Sequence, residues 1–193
     1  NKNIARTNSI VRRNTGFRSR FAIFRRAMLS VVIETKNDED GLARTLASLV
    51  PAAVDGVVRE VIVCDRGSTD RTDLVAEHTG CIFLSGDSLP AGIKRARSDW
   101  LLFLQPGSRL ADGWIAAVVD HMNEGGGPAR FTLSRLSRPA ILRRLFAWRR
   151  SRFDGLVIEK ARALTIAHDD GDTAWLASKV SARRISGEIH LPA

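Results

Sequence analysis

Tyrosine is absent from this 193-residue chain, there are only two cysteines, and the first 27 residues contain no acid. Two cysteines, Cys64 and Cys81, each in an apolar strand context, cannot supply a disulfide framework and read as buried, reduced thiols. No apolar run approaches the roughly 20 residues of a transmembrane helix, and no signal-peptide core precedes a small-residue cleavage site. The expected location is therefore cytoplasmic. No aromatic stacking motif appears, so nucleic acid is not an expected partner. No P-loop lysine motif and no Gly-x-Ser-x-Gly elbow occurs, which removes two α/β chemistries. His121 and His168 stand apart, without metal-ligand spacing.

The formal net charge of +9 belongs to one end of the chain. Residues 1–27 hold Lys2, Arg6, Arg12, Arg13, Arg18, Arg20, Arg25 and Arg26. Removing these eight from the 30 lysines and arginines leaves 22, against 21 acids, so the body is nearly neutral. The segment reads as a basic extension expected to be disordered, and three origins fit it. It has the composition of an organelle transit peptide; it could be sequence upstream of a start at Met28; or it could be a polybasic arm for RNA or anionic lipid.

From Met28 the pattern alternates. Leu29–Glu34 is a continuous β-branched run, and Leu42, Leu46 and Leu49 then recur at i, i+4 and i+7, one face of a helix. Glu60–Asp65 reads as the second strand and Asp70–His78 as the second helix, with Asp70 as N-cap. Ile82–Leu84 is a short third strand, Gly92–Arg97 a basic turn of helix, and Trp100–Leu104 a fourth, fully apolar strand. Asp112 is placed to cap a helix carrying Trp114, Val118 and Met122 on one face. Four short strands separated by helices predict an α/β fold, a doubly wound, mostly parallel, Rossmann-like sheet flanked by helices. Gly125-Gly126-Gly127-Pro128 breaks the pattern, so residues 28–193 divide into a half at 28–122 and a shorter part at 123–193.

Beyond the break, Ala129–Leu133 reads as another strand. Pro139 opens a helix with Ile141, Leu142, Leu145, Phe146 and Trp148, crowded by Arg143, Arg144, Arg149, Arg150 and Arg152. Residues 139–152 fit either an interfacial helix on the inner face of a membrane or a helix packed on the sheet with a solvated arginine face.

In a parallel sheet, ligands sit beyond the carboxyl ends of the strands. Glu34-Thr35-Lys36-Asn37 ends the first strand, Asp65 the second and Gln105 the fourth, so all three converge on one crevice. The carboxylate of Asp65 can accept hydrogen bonds from a base or ribose. The small residues Gly67-Ser68-Thr69 let backbone N–H groups approach phosphate.

Val61-Ile-Val-Cys-Asp-Arg-Gly-Ser-Thr-Asp-Arg-Thr72 resembles the signature of the family-2 nucleotide-sugar glycosyltransferases, close to Val-Val-Asp-x-Gly-Ser-x-Asp-x-Thr. Ser30-Val-Val-Ile-Glu-Thr-Lys-Asn37 is similar to the family opening Ser-Val-Ile-Ile-Pro-Thr-Tyr-Asn, with Asp38 and Thr45-Leu-Ala-Ser-Leu49 following the pattern. Leu101-Leu-Phe-Leu104, Ser108-Arg-Leu110 and Gly113-Trp114 resemble one branch of that family.

The resemblance implies a GT-A fold with 28–122 as the nucleotide-binding half and 123–193 on the acceptor side. It implies a UDP- or GDP-linked sugar as donor and transfer, with inversion, to an envelope glycan or lipid. By position it assigns Thr35, Lys36, Asp65, Gly67 and Ser68 to the nucleotide. Mg²⁺ or Mn²⁺ is expected for the family, yet its Asp-x-Asp is replaced here by Gln105-Pro106-Gly107. No tight metal is expected, and Lys94, Arg95, Arg97 and Arg109 are candidates to meet the phosphates instead. The acceptor base is expected in Asp169-Asp170-Gly171-Asp172, with Asp170 fitting best and Asp172 second. A catalytically inactive nucleotide- or partner-binding module is the alternative reading.

Overall fold

Continuous apolar runs such as Trp100–Leu104 suit strands buried on both faces, and the computed structural model places this one at the centre of one sheet. It describes residues 28–86, 88–134, 155–168 and 171–192. In chain order the elements are β1 (Leu29–Thr35), α1 (Glu39–Val54), β2 (Val58–Asp65), α2 (Thr72–His78), β3 (Ile82–Ser85), α3 (Leu89–Arg95), β4 (Trp100–Leu104), β5 (Arg109–Leu110), α4 (Trp114–Asn123), β6 (Ala129–Leu133), β7 (Leu156–Glu159), α5 (Lys160–Ile166), α6 (Thr173–Ser178) and β8 (Arg183–His190). The eight strands run in the order β3-β2-β1-β4-β7-β6-β8-β5.

The first four strands are parallel to one another. The remainder is mixed: β7 is antiparallel to β4 and β6, β8 is parallel to β6, and β5 is antiparallel to β8. The sheet thus continues unbroken past residue 122.

Strand alternation sorts the core into two layers. Val31, Ile33, Val63, Leu102 and Leu104 pack with Leu42, Leu46 and Leu49 of α1 and Trp114, Val118 and Met122 of α4. Val32, Ile62, Cys64, Leu101 and Phe103 pack on the opposite face with Leu89 and Ile93 of α3, Ala163 of α5 and Leu176 of α6. Cys64 and Cys81 are not joined in a disulfide.

Three helix starts differ from the sequence reading. α2 begins at Thr72, and Asp70 does not cap it from the expected position. Its carboxylate instead accepts from the Thr72 hydroxyl at 2.6 Å and from the Glu39 N–H at 3.1 Å, joining the starts of α1 and α2. The Thr72 hydroxyl, ahead of backbone donors, holds the Asp70 carboxyl below its usual range. α4 follows Gly113 in a left-handed conformation with no side-chain cap, so Asp112 does not serve. α3 starts at Leu89, three residues early, because Pro90 is tolerated in a first turn. Residues 1–27 and the predicted helix 139–152 lie outside the described residues. Among the described residues no helix is long and apolar enough to cross a membrane.

Candidate functional site

Parallel register brings the strand ends together. Thr35 lies opposite Asp65 across β1 and β2, and Ile33 lies opposite Leu104, so Gln105 follows beside Glu34. Thr35 and Asp65 share the face of Val31 and Val63, and each is only 3% exposed. Asp65 Oδ2 accepts the N–H groups of Gly67 at 3.1 Å and Ser68 at 2.9 Å, while Oδ1 accepts the Ser68 hydroxyl. Among the described residues, the buried Thr35 Oγ1 has no hydrogen-bond partner.

The loops after β1 and β2 are stitched to each other. Asn37 adopts the left-handed region at φ 52°, which asparagine tolerates better than most residues. Its N–H donates to Ser68 Oγ at 2.8 Å, and its Oδ1 accepts the Thr69 N–H at 2.7 Å. Glu39 Oε2 accepts the Arg71 N–H at 2.8 Å, and the Arg66 N–H donates to Thr35 O at 3.0 Å. Asp38 caps α1 through the Gly41 N–H at 2.9 Å. Lys36 is exposed at the end of β1. The edge is therefore a preformed rim with little backbone freedom left to lose.

The β4 loop closes the third side. Gln105 O accepts the Thr45 hydroxyl at 3.2 Å and the Ser108 N–H at 3.1 Å, and the Gly107 N–H donates to Gly41 O at 2.8 Å. Gly107 has φ +87°, and a Cβ placed there would meet Pro192 Cβ at 3.0 Å. Position 107 therefore disfavours any side chain. Mg²⁺ and Mn²⁺ call for carboxylate oxygens, and these loop residues supply none. Among the described residues no three His, Cys, Asp or Glu side chains group in a way that could hold a metal ion. The donor set does not fit the ion that the family pattern implies.

Three of the four cations named as phosphate candidates lie at the wrong edge. A helix that follows β3 and precedes parallel β4 must return to the amino edge, and Lys94 and Arg95 form its last turn. Arg97 pairs with Glu60 at 3.8 Å. Glu60 also accepts the Ser30 hydroxyl at 2.8 Å, near the starts of β1 and β2. Asp65 is five residues further along β2, about 16 Å at ~3.3 Å per residue. Arg109, by contrast, follows the carboxyl end of β4 and is exposed.

A different cation stands at the crevice. Arg66 Nη1 pairs with Glu34 Oε1 at 3.1 Å. Glu34 Oε2 accepts both the N–H and the hydroxyl of Thr173, at 3.1 and 3.0 Å. Those contacts dock the start of α6 against the end of β1. Asp172 is the cap of that helix, accepting the Trp175 N–H at 2.7 Å, which engages the carboxylate and weakens its candidacy as a base. Asp169 and Asp170 lie outside the described residues. Sequence reasoning missed Arg66 and set Glu34 at the crevice without a role; the signal was an acid at the end of an apolar strand, with a cation directly after Asp65.

The model of the family described as Glycosyl transferase family 2 matches residues 30–176. Among solved structures, glucosyl-3-phosphoglycerate synthase from Mycobacterium tuberculosis with Mn²⁺ and UDP-glucose matches with a TM-score of 0.58 at 21% identity, over 80% of this chain and 64% of that one. TarS residues 1–349 from S. aureus, in complex with UDP, matches with a TM-score of 0.63 at 14% identity, over 86% and 60%. This chain thus spans less than two thirds of either protein's structure, and at such identities the likeness speaks for the fold. No curated protein sequence matches the chain. The family match covers most of the sequence, and the sheet order and the structural likenesses agree with it: the chain belongs to glycosyl transferase family 2 and has the GT-A fold.

Proposed function

We propose that this protein binds a nucleoside-diphospho-sugar at the carboxyl edge of β1, β2 and β4 and transfers the sugar, with inversion, to a glycan or lipid acceptor. The observation that carries the reading is the pairing of Thr35 and Asp65. A buried hydroxyl without a partner costs about 1–3 kcal/mol. Here it sits beside a carboxylate whose own partners, among the described residues, are the N–H and O–H groups of its turn. A base or ribose offers the donors and acceptors that would complete both. Family membership supports this, as do the UDP and UDP-glucose of the structurally similar proteins.

In the reaction, a carboxylate takes the proton of the acceptor hydroxyl, and Asp170 is the candidate. The acceptor oxygen attacks the anomeric carbon from the face opposite the leaving group. The bond to the diphosphate breaks, and a nucleoside diphosphate departs with the electron pair. A second reading, a nucleotide-binding module without turnover, is favoured by the absent carboxylates at Gln105 and Gly107.

Release of nucleoside diphosphate from UDP- and GDP-linked sugars tests the two. Turnover lost in Asp170→Asn with nucleotide binding intact is the expected result. Binding without turnover in the wild type selects the second reading, and turnover that survives Asp65→Ala contradicts the site.

A further inference from the structure

We infer that the donor diphosphate is met in this chain by Arg66, a guanidinium held in place by Glu34, and not by a divalent ion. The inference rests on the nucleotide-binding reading above. A diphosphate leaving group needs positive charge close by, and the β4 loop lacks the carboxylates that would recruit a metal. Lys94 and Arg95 lie in the last turn of α3, which runs toward the amino edge, and Arg97 pairs with Glu60 there.

Arg66 is differently placed. It directly follows Asp65, and its main chain is fixed to Thr35 O. Its side chain is 49% exposed, and its one protein partner among the described residues is Glu34. One nitrogen of the fork is thereby engaged, and the others remain for a ligand; a guanidinium matches two phosphate oxygens at once.

The buttress is itself braced. The Glu34 side chain is 15% exposed and is gripped on its other oxygen by the Thr173 N–H and hydroxyl. A carboxylate with three contacts from two loops restricts the arginine before any ligand arrives, which lowers the ordering cost on binding. Glu34 is thus a positioning residue and Arg66 the binding residue. The strand end where the family pattern has proline carries the buttress, and the next loop carries the cation.

Calorimetric titration of the full chain in chelator tests this, with uridine and UDP, then guanosine and GDP, as matched pairs. We expect UDP or GDP to bind at least ~10-fold more tightly than its nucleoside, as for a charge-assisted contact. Added Mn²⁺ should leave that ratio within about 2-fold. Arg66→Gln should bring the diphosphate down to the affinity of the nucleoside, while the nucleoside is bound as before. Arg66→Lys should recover only part, lacking the fork, and Glu34→Gln should lose part through weaker positioning. Arg66 is half exposed, so circular dichroism of its variants should be unchanged.

A wild-type ratio near one, an unchanged ratio in Arg66→Gln, loss of the ratio in Lys36→Ala or Arg109→Ala instead, or a tenfold gain with Mn²⁺ would each overturn the inference while the nucleotide site stood. Absence of all binding, nucleosides included, would overturn both.

Discussion

At the amino edge of the sheet, Glu60 receives the Ser30 hydroxyl at 2.8 Å, the Arg97 main-chain N–H and the Arg97 guanidinium at 3.8 Å. At the carboxyl edge of the same strand, Asp65 receives two N–H groups and a hydroxyl from its own turn and, among the described residues, no cation. Both acids are nearly buried. The first meets a cation, and its Ser30 partner also accepts the Ser98 N–H at 3.1 Å, although the buried Ser98 hydroxyl has no partner among the described residues. The second leaves a Thr35 hydroxyl unpaired beside it and a half-exposed arginine one residue on. A closed polar network stabilises the fold, whereas an open, rigid one is completed by a ligand. Each edge holds an arginine paired with a glutamate; what distinguishes the carboxyl edge is Asp65, a buried acid that among the described residues meets no cation.

The sharpest break in this comparison is Asp65→Ala. It should lower nucleotide affinity by roughly 2–3 kcal/mol, about 30- to 150-fold, in a calorimetric titration. Glu60→Ala should do the converse. It strands the Ser30 hydroxyl and the Arg97 N–H, costing about 1–3 kcal/mol in urea unfolding, with nucleotide affinity unchanged. Gly107→Asp, which would restore an acid to the β4 loop, should cost about 1–2 kcal/mol through its positive φ and the contact with Pro192. One carboxylate beside Gln105 does not complete a divalent site, so no Mn²⁺ affinity should appear in a metal titration.

A smaller effect comes from His121. Burial, the leading cause, holds its pKa below the usual 6.5. The ring Nε2 lies 2.8 Å from Gly127 O and Nδ1 accepts from Arg183, an arrangement that needs the neutral ring. The unfolded chain therefore binds the proton more readily. Stability should be fully present above pH ~6.5 and fall as pH drops below it, seen as a declining unfolding midpoint. Last, the double change Lys94→Ala and Arg95→Ala should shift stability by less than ~0.5 kcal/mol and leave nucleotide affinity alone.

The parallel half was readable because its signals are local and undiluted. Trp100–Leu104 carries the predicted strand bounds, and Leu42, Leu46 and Leu49 all face the core; in the mixed half Ala129–Leu133 was read with its bounds as well. β8 went unread for a physical reason. Its exposed positions hold Arg183, Arg184, Ser186 and Glu188, and it is interrupted by Gly187, where a Cβ would meet the Phe131 ring at 2.6 Å. That glycine is a packing requirement which only the fold reveals.

Within the site, the convergence of Thr35, Asp65 and Gln105 followed from parallel topology alone. The misplacement of Lys94, Arg95 and Arg97 came from counting charge without following the chain, because a helix between parallel strands must end at the amino edge. Glu34 could not be assigned a partner from sequence, since Thr173 is 139 residues away.

Amide hydrogen exchange with and without saturating UDP or GDP, in chelator, addresses the difference between the edges most directly. The account predicts added protection at residues 35–39 and 66–71, with residues 94–99 and the start of β2 unchanged. Protection centred on 94–99, or binding that leaves 35–39 and 66–71 untouched, would contradict it.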